Sequence, residues 1–207
     1  MILAEQIVLL ALDPERGTLA PGIASARLRR AAAAALLVEL ILVQRLLPHA
    51  AGVAVADQLP SFHPLLSEAL RVLSRSGAPL PAAAALHQVE RKIRPLLRRI
   101  LSNLVDRDIL HEQREWLLRR RYPIRSMQAL SEVFDSIHAA LAGRGDTRSI
   151  LLLALANAGE VLGARLTAEE RARAVLRLGQ PITLEHPYVD GHRRSLQAVL
   201  DAARSEA

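Results

Sequence analysis

Residues Ala31 to Val43 are apolar at every position except Glu39. A bilayer span needs ~20 such residues, so this run is too short to cross a membrane. A helix that is apolar on all sides must instead lie at the centre of its domain. The expected helix extends over roughly 24–47, opening with Arg27, Arg29 and Arg30 and stopping at Pro48. Glu39 inside it needs a partner, because an unpaired buried carboxylate is costly. Arg45 is the nearest candidate in sequence.

Composition says what surrounds that helix. Hydrophobic residues make up 51% of the 207 residues, but aromatics only 2%. The core is therefore Leu, Ala, Val and Ile, which suits closely packed helices. The absence of cysteine removes disulfides, thiolate metal sites and a Cys nucleophile. Met1 to Glu5 has no basic stretch, and Glu5 interrupts the apolar run, so no secretory leader is expected.

Along the chain, an apolar helix is expected over Ile2 to Leu12, with Glu5 and Gln6 on its opposite face. Pro14 and Gly17 close it as a turn. Ala50 to Pro60 reads as a strand-like loop. A helix over Leu65 to Ser76 stops at Gly77 and Pro79. A long basic helix over Ala82 to Arg107 follows, kinked or split by Pro95. Its residues Ile93, Leu96, Leu97, Ile100, Leu101, Leu104 and Val105 have the spacing of one buried face. A β-hairpin is expected over about 109–121. Further helices are read over 126–142, 148–159, 167–178 and 189–205. Asp146 or Thr147 caps the second of these, and Thr167 with Glu170 forms a capping box for the third. The expected fold is mainly α. It is a single globular domain over 1–207, with about eight helices around two apolar central ones and one protruding hairpin.

The positive charge is local. Between Val89 and Arg121 ten basic residues face five acidic ones, an excess of five in a chain whose net charge is +6. Lys92 is the only lysine in the chain. Arginine carries a planar fork that matches phosphate oxygens, so the stretch favours an anionic partner: a phospholipid headgroup, nucleic acid or an acidic protein. Trp116, the chain's only tryptophan, lies in the hairpin region beside Leu117, Leu118, Arg119, Arg120 and Arg121.

Catalytic signatures are missing. There is no glycine-rich phosphate loop ending in Lys-Ser or Lys-Thr, and no Gly-x-Ser-x-Gly elbow. The seven histidines are scattered. Glu185 to His192 gathers carboxylates and imidazoles of the kind that ligate metals, but reads as a surface loop and helix cap. Glu39 reads as a structural carboxylate rather than a tuned acid. No enzyme activity, metal or cofactor is expected.

Several segments, in order, resemble the Golgi phosphoprotein 3 family. The opening Leu3 to Asp13, closed by Glu15-Arg16-Gly17, is similar to the start of its members. Leu36-Leu37-Val38-Glu39-Leu40 followed by Arg45-Leu46 resembles the family's central Leu-x-Glu-Leu helix. Leu65-Leu66-Ser67-Glu68-Ala69-Leu70 resembles its Leu-Leu-Asp-Glu-Ala-Leu. Arg98 to Val105, Ile109-Leu110 and Arg121-Tyr122-Pro123 match its arginine-rich helix, hairpin and following turn.

The resemblance implies a helical domain with a protruding hairpin. It also implies a cytoplasmic protein peripherally bound to membrane through phosphatidylinositol 4-phosphate or a related phosphoinositide. Self-association and membrane contact through the hairpin, and binding of cytosolic tails of membrane proteins, come with it. The positions matching the family's pocket arginines are Arg94, Leu97 and Ala33, with Arg29, Arg30, Arg91 and Arg98 close by. The headgroup set is therefore Arg29, Arg30, Arg91, Arg94 and Arg98. The membrane or oligomer set is Trp116, Leu117, Leu118, Arg119, Arg120 and Arg121. Two other readings stand beside this one. A winged-helix-like nucleic-acid-binding regulator is disfavoured by Pro95 and by the few side chains suited to reading bases. A peptide-tail adaptor without a lipid role is the other.

Overall fold

The computed structural model describes residues 1–57, 59–114, 120–180 and 190–205. Among them the helices are α1 (Leu3–Ala11), α2 (Ser25–Leu42), α3 (Pro64–Ser74), α4 (Ala82–Lys92), α5 (Leu96–Asp106), α6 (Met127–Leu141), α7 (Thr147–Ala158), α8 (Ala168–Leu178) and α9 (Asp190–Arg204). Two antiparallel ribbons complete the fold, β1 (Leu46–His49) with β2 (Gly52–Val55), and β3 (Gln113–Arg114) with β4 (Arg120–Arg121). The chain is thus mainly α with a small hairpin, as expected, and the first ribbon is an addition. No described helix is long and apolar enough to cross a membrane.

Helix α2 is central. Every residue from Ala31 to Ile41 is buried, and the helix packs against α1, α3, α4, α5, α7 and α9. Its alanine-rich first half lets these neighbours come close. Helix α7 is the second core helix, buried continuously from Ile150 to Ala156.

The structure corrects three sequence expectations. First, α2 stops at Leu42 rather than running to Leu47. Gln44 takes a left-handed φ of 56°, and the Arg45 N–H donates to the Leu40 carbonyl at 2.8 Å. This closure satisfies the helix's last carbonyls without a glycine. Pro48 then sits in β1, opposite Val53.

Second, Arg45 pairs with Asp57, not Glu39. Glu39 is instead held by Arg148, whose Nη1 donates to Oε1 at 2.7 Å and whose Nη2 donates to Oε2 at 3.1 Å. Glu39 Oε2 also accepts the Leu3 N–H at 2.9 Å.

Third, Glu5 faces inward and is fully buried. Its carboxylate accepts the Ile2 N–H, His63 Nε2–H and Arg107 Nη1–H, each at 3.0 Å. The two glutamates therefore occupy the amino end of α1, where unpaired N–H groups and the helix dipole favour negative charge.

The His63 tautomer follows from this geometry. Nδ1 accepts the Leu65 N–H at 3.2 Å and so caps α3, which leaves the proton on Nε2 facing Glu5. Burial pushes the Glu5 carboxyl up, but the bonds from His63 and Ile2 and the charge of Arg107 outweigh it, so its pKa lies below the usual carboxylate value. A carboxylate depressed on folding stabilises the protein above its unfolded-state pKa of about 4.3 and loses that contribution as pH falls through the lower folded value. The stability difference between wild type and Glu5→Gln should therefore be full at neutral pH and shrink below about pH 4. Urea midpoints measured across that range check this; a constant difference would contradict it.

Candidate functional site

The long basic helix is two helices. Chain geometry breaks at Ile93 to Pro95, with α4 ending at Lys92 and α5 starting at Leu96. Helix α4 buries Ala82, Ala85, Leu86 and Val89, so Arg91 and Lys92 at its end face solvent. Their charge also suits the carboxyl end of a helix dipole. Helix α5 buries Leu96, Ile100 and Leu104, which turns Arg98 outward. Arg94, between the helices, is exposed as well.

Among the described residues, no hydrogen bond or ion pair engages Arg91, Lys92, Arg94 or Arg98. Neighbouring arginines are all occupied. Arg99 pairs with Glu68, and Arg107 with Glu5. Four uncompensated cations thus cluster within eight residues. The amino end of α5 has no side-chain cap, so its dipole adds positive potential.

Beside these cations lies a largely apolar cavity of about 270 Å³. Its lining includes Leu97 and Leu101 of α5, Val8, Leu12 and Leu28 from the first two helices and the turn after α1, and Arg120 and Tyr122. Helix α5 thus supplies the i, i+4 apolar pair Leu97 and Leu101 together with the exposed Arg98, while Arg94 stands just before the helix. Arg120 brings β4 to this cavity, while its Nη1 donates to Glu112 Oε1 at 2.7 Å.

The hairpin's root is fixed from below. The Tyr122 N–H donates to the Gly17 carbonyl at 2.8 Å and the Ile124 N–H to Pro14 at 3.0 Å. Gly17 has a φ of 63°, and a Cβ there would sit 2.2 Å from the Pro123 nitrogen. Only glycine allows the 13–17 turn to lie against the hairpin.

The headgroup residues named from sequence separate into two groups. Arg91, Arg94 and Arg98 share the exposed junction. Arg29 and Arg30 are engaged elsewhere. Arg29 Nε lies 3.2 Å from Glu90 Oε1. Arg30 donates from Nε and Nη2 to the Ala202 carbonyl at 3.1 and 2.8 Å, with Nη1 3.6 Å from Glu90. Arg30 therefore fastens α9 to α2. Ala33 is fully buried and Leu97 lines the cavity. Of the hairpin set, Arg120 and Arg121 form β4, whereas Trp116, Leu117, Leu118 and Arg119 lie outside the described residues. Residues 181–189, including most of the carboxylate and imidazole run ending at His192, also lie outside them. Among the described residues, no three His, Asp or Glu side chains gather as a metal site.

The cavity is not legible along the chain. Leu97 and Leu101 were visible as an apolar pair, but Val8, Leu12 and Leu28 join them only through the packing of α1 and α2. Lys92 was legible as charge and not as part of the site.

No curated protein matches the chain. A family model described as Golgi phosphoprotein 3 matches residues 3–200, and the chain belongs to that family.

Proposed function

We propose that this protein is a peripheral membrane protein that binds anionic phospholipid by the α4–α5 junction, acting by binding and not by catalysis. The observation that supports this reading is the gathering, at the α4–α5 junction, of four cations unpaired among the described residues, next in sequence to Leu97, which lines an apolar cavity. Phosphate oxygens of a headgroup match the arginine forks, while the Leu97 and Leu101 side suits its apolar neighbourhood. Each basic residue near an anionic leaflet contributes ~1 kcal/mol. Membership of the family supports phosphatidylinositol 4-phosphate or a related phosphoinositide as the ligand and the cytoplasmic face of a membrane as the site of action. The same reading gives Trp116, Leu117, Leu118, Arg119, Arg120 and Arg121 a contact with membrane or a second subunit, and allows cytosolic tails of membrane proteins as clients.

Liposome flotation tests it. The protein should float with acidic vesicles at low salt, more strongly when phosphoinositide is included, and its binding should weaken as salt screens the charges. Failure to float with any acidic vesicle overturns the reading, and a salt-dependent shift with duplex DNA in its place would favour nucleic acid.

A further inference from the structure

Leu59 and Phe62 stand 65% and 72% exposed just before α3. Phe62 is one of only two phenylalanines in the chain. Single exposed apolar residues need no explanation, but two within four residues, on a loop held in place, do. The Ser61 N–H donates to Ser67 Oγ at 2.8 Å, and that hydroxyl donates back to the Ser61 carbonyl at 3.2 Å. His63 is anchored at both ring nitrogens, to Leu65 and to Glu5. The loop thus holds Phe62 in water by construction.

Next to it, the outer stripe of α3 is basic. Pro60, Pro64, Ser67, Glu68, Arg71 and Arg75 line an open groove of about 520 Å³ with Ser74. Glu68 is neutralised by Arg99, whose bond to it lowers the carboxyl's pKa. Arg71 remains largely exposed, 3.8 Å from Glu68, and among the described residues Arg75 has no partner.

Two ties orient this stripe. Glu5 binds both His63 and Arg107, and Glu68 binds Arg99. These ties bring the start of α3 toward the end of α5 and Glu68 toward the start of α5. Phe62 precedes His63, tied through Glu5 to Arg107, and Pro60, between Leu59 and Phe62, shares the groove with Arg71 and Arg75. Leu59 and Phe62 do not line the groove; they stand outside it. A groove-bound peptide would use apolar side chains as walls, whereas projecting apolar side chains beside arginines match an acyl layer beneath anionic headgroups.

We propose that Leu59 and Phe62 form a second membrane anchor that enters the acyl layer of an anionic bilayer, with Arg71 and Arg75 at headgroup level. This rests on the reading of the protein as a peripheral membrane protein. Because the loop is already ordered, insertion loses little conformational freedom.

The cysteine-free chain permits a clean test. Phe62→Cys, labelled with an environment-sensitive nitrobenzoxadiazole dye, should brighten and shift to the blue on phosphatidylserine–phosphatidylcholine vesicles and be quenched by acyl-chain spin labels. Leu59→Gln with Phe62→Gln should weaken vesicle partitioning at least about tenfold, with the thermal midpoint unchanged because both side chains are already in water. A dye that stays in water while the protein binds vesicles overturns the anchor. So does a double variant that binds within twofold of wild type, or a dye that responds to polyglutamate and not to vesicles. Failure of wild type to bind acidic vesicles would instead overturn the membrane reading itself.

Discussion

Replacing Arg94 and Arg98 together by glutamate should lower affinity for acidic vesicles by two to three orders of magnitude. Removing each cation near an anionic surface costs ~1 kcal/mol, and each introduced carboxylate adds repulsion of similar size. The fold should be unaffected. Both side chains are exposed and unpaired among the described residues, and such surface changes usually stay within about 0.5 kcal/mol. Arg30→Gln gives the opposite pattern. It breaks the bonds to Ala202 and should lower the melting temperature while leaving vesicle affinity nearly intact. Vesicle sedimentation alongside thermal unfolding separates the two. Equal binding losses in both variants would contradict the assignment of Arg94 and Arg98 to the site and of Arg30 to the scaffold.

Arg148→Met should be among the most destabilising single changes. It leaves Glu39, which is 3% exposed, in the core with the Leu3 N–H but without its counter-charge, and it also orphans the Met1 carbonyl that Arg148 Nη2 meets at 2.9 Å. Breaking a buried pair from one side costs about 3–5 kcal/mol. Arg148 keeps a third of its side chain in water, so about 2–4 kcal/mol is expected here after that screening. For a chain of this length that is roughly a 5–15 °C fall in melting temperature. Adding Glu39→Leu should recover part of the loss, because an apolar pair tolerates burial where a lone carboxylate does not. A double variant no more stable than Arg148→Met would show that the cost comes from packing and not from the stranded charge.

Much of the architecture was legible along the chain. The all-round apolar character of Ala31 to Ile41 announced the central helix, since no other location hides such a surface. Asp146 and Thr167 were readable as caps because a side-chain oxygen three residues before a helical amide acts locally. The end of α2 was harder. Gln44 is the left-handed residue just past α2, and it is not a glycine, so the usual stop signal is missing. The β1–β2 ribbon was hidden for the same reason: with Gln44 unread as a stop, Leu46 and Leu47 passed for helix and Pro48 for its end.

For the candidate site, the cations were visible and their freedom was not. A count of arginines cannot tell Arg98, in solvent, from Arg99, bound to Glu68, although the two are adjacent. Nor can it show that Arg30 is spent on a backbone carbonyl 172 residues away.

By itself, the sequence determined the helical class, the identity of the core helix and the place along the chain where positive charge accumulates. These depend on residue type and periodicity, which act over a few positions. The tertiary structure decided which glutamates are buried, which partners hold them, and which arginines remain free to meet an anion. Those outcomes depend on contacts between residues far apart in the chain, where burial removes water as the alternative partner and so fixes each pairing.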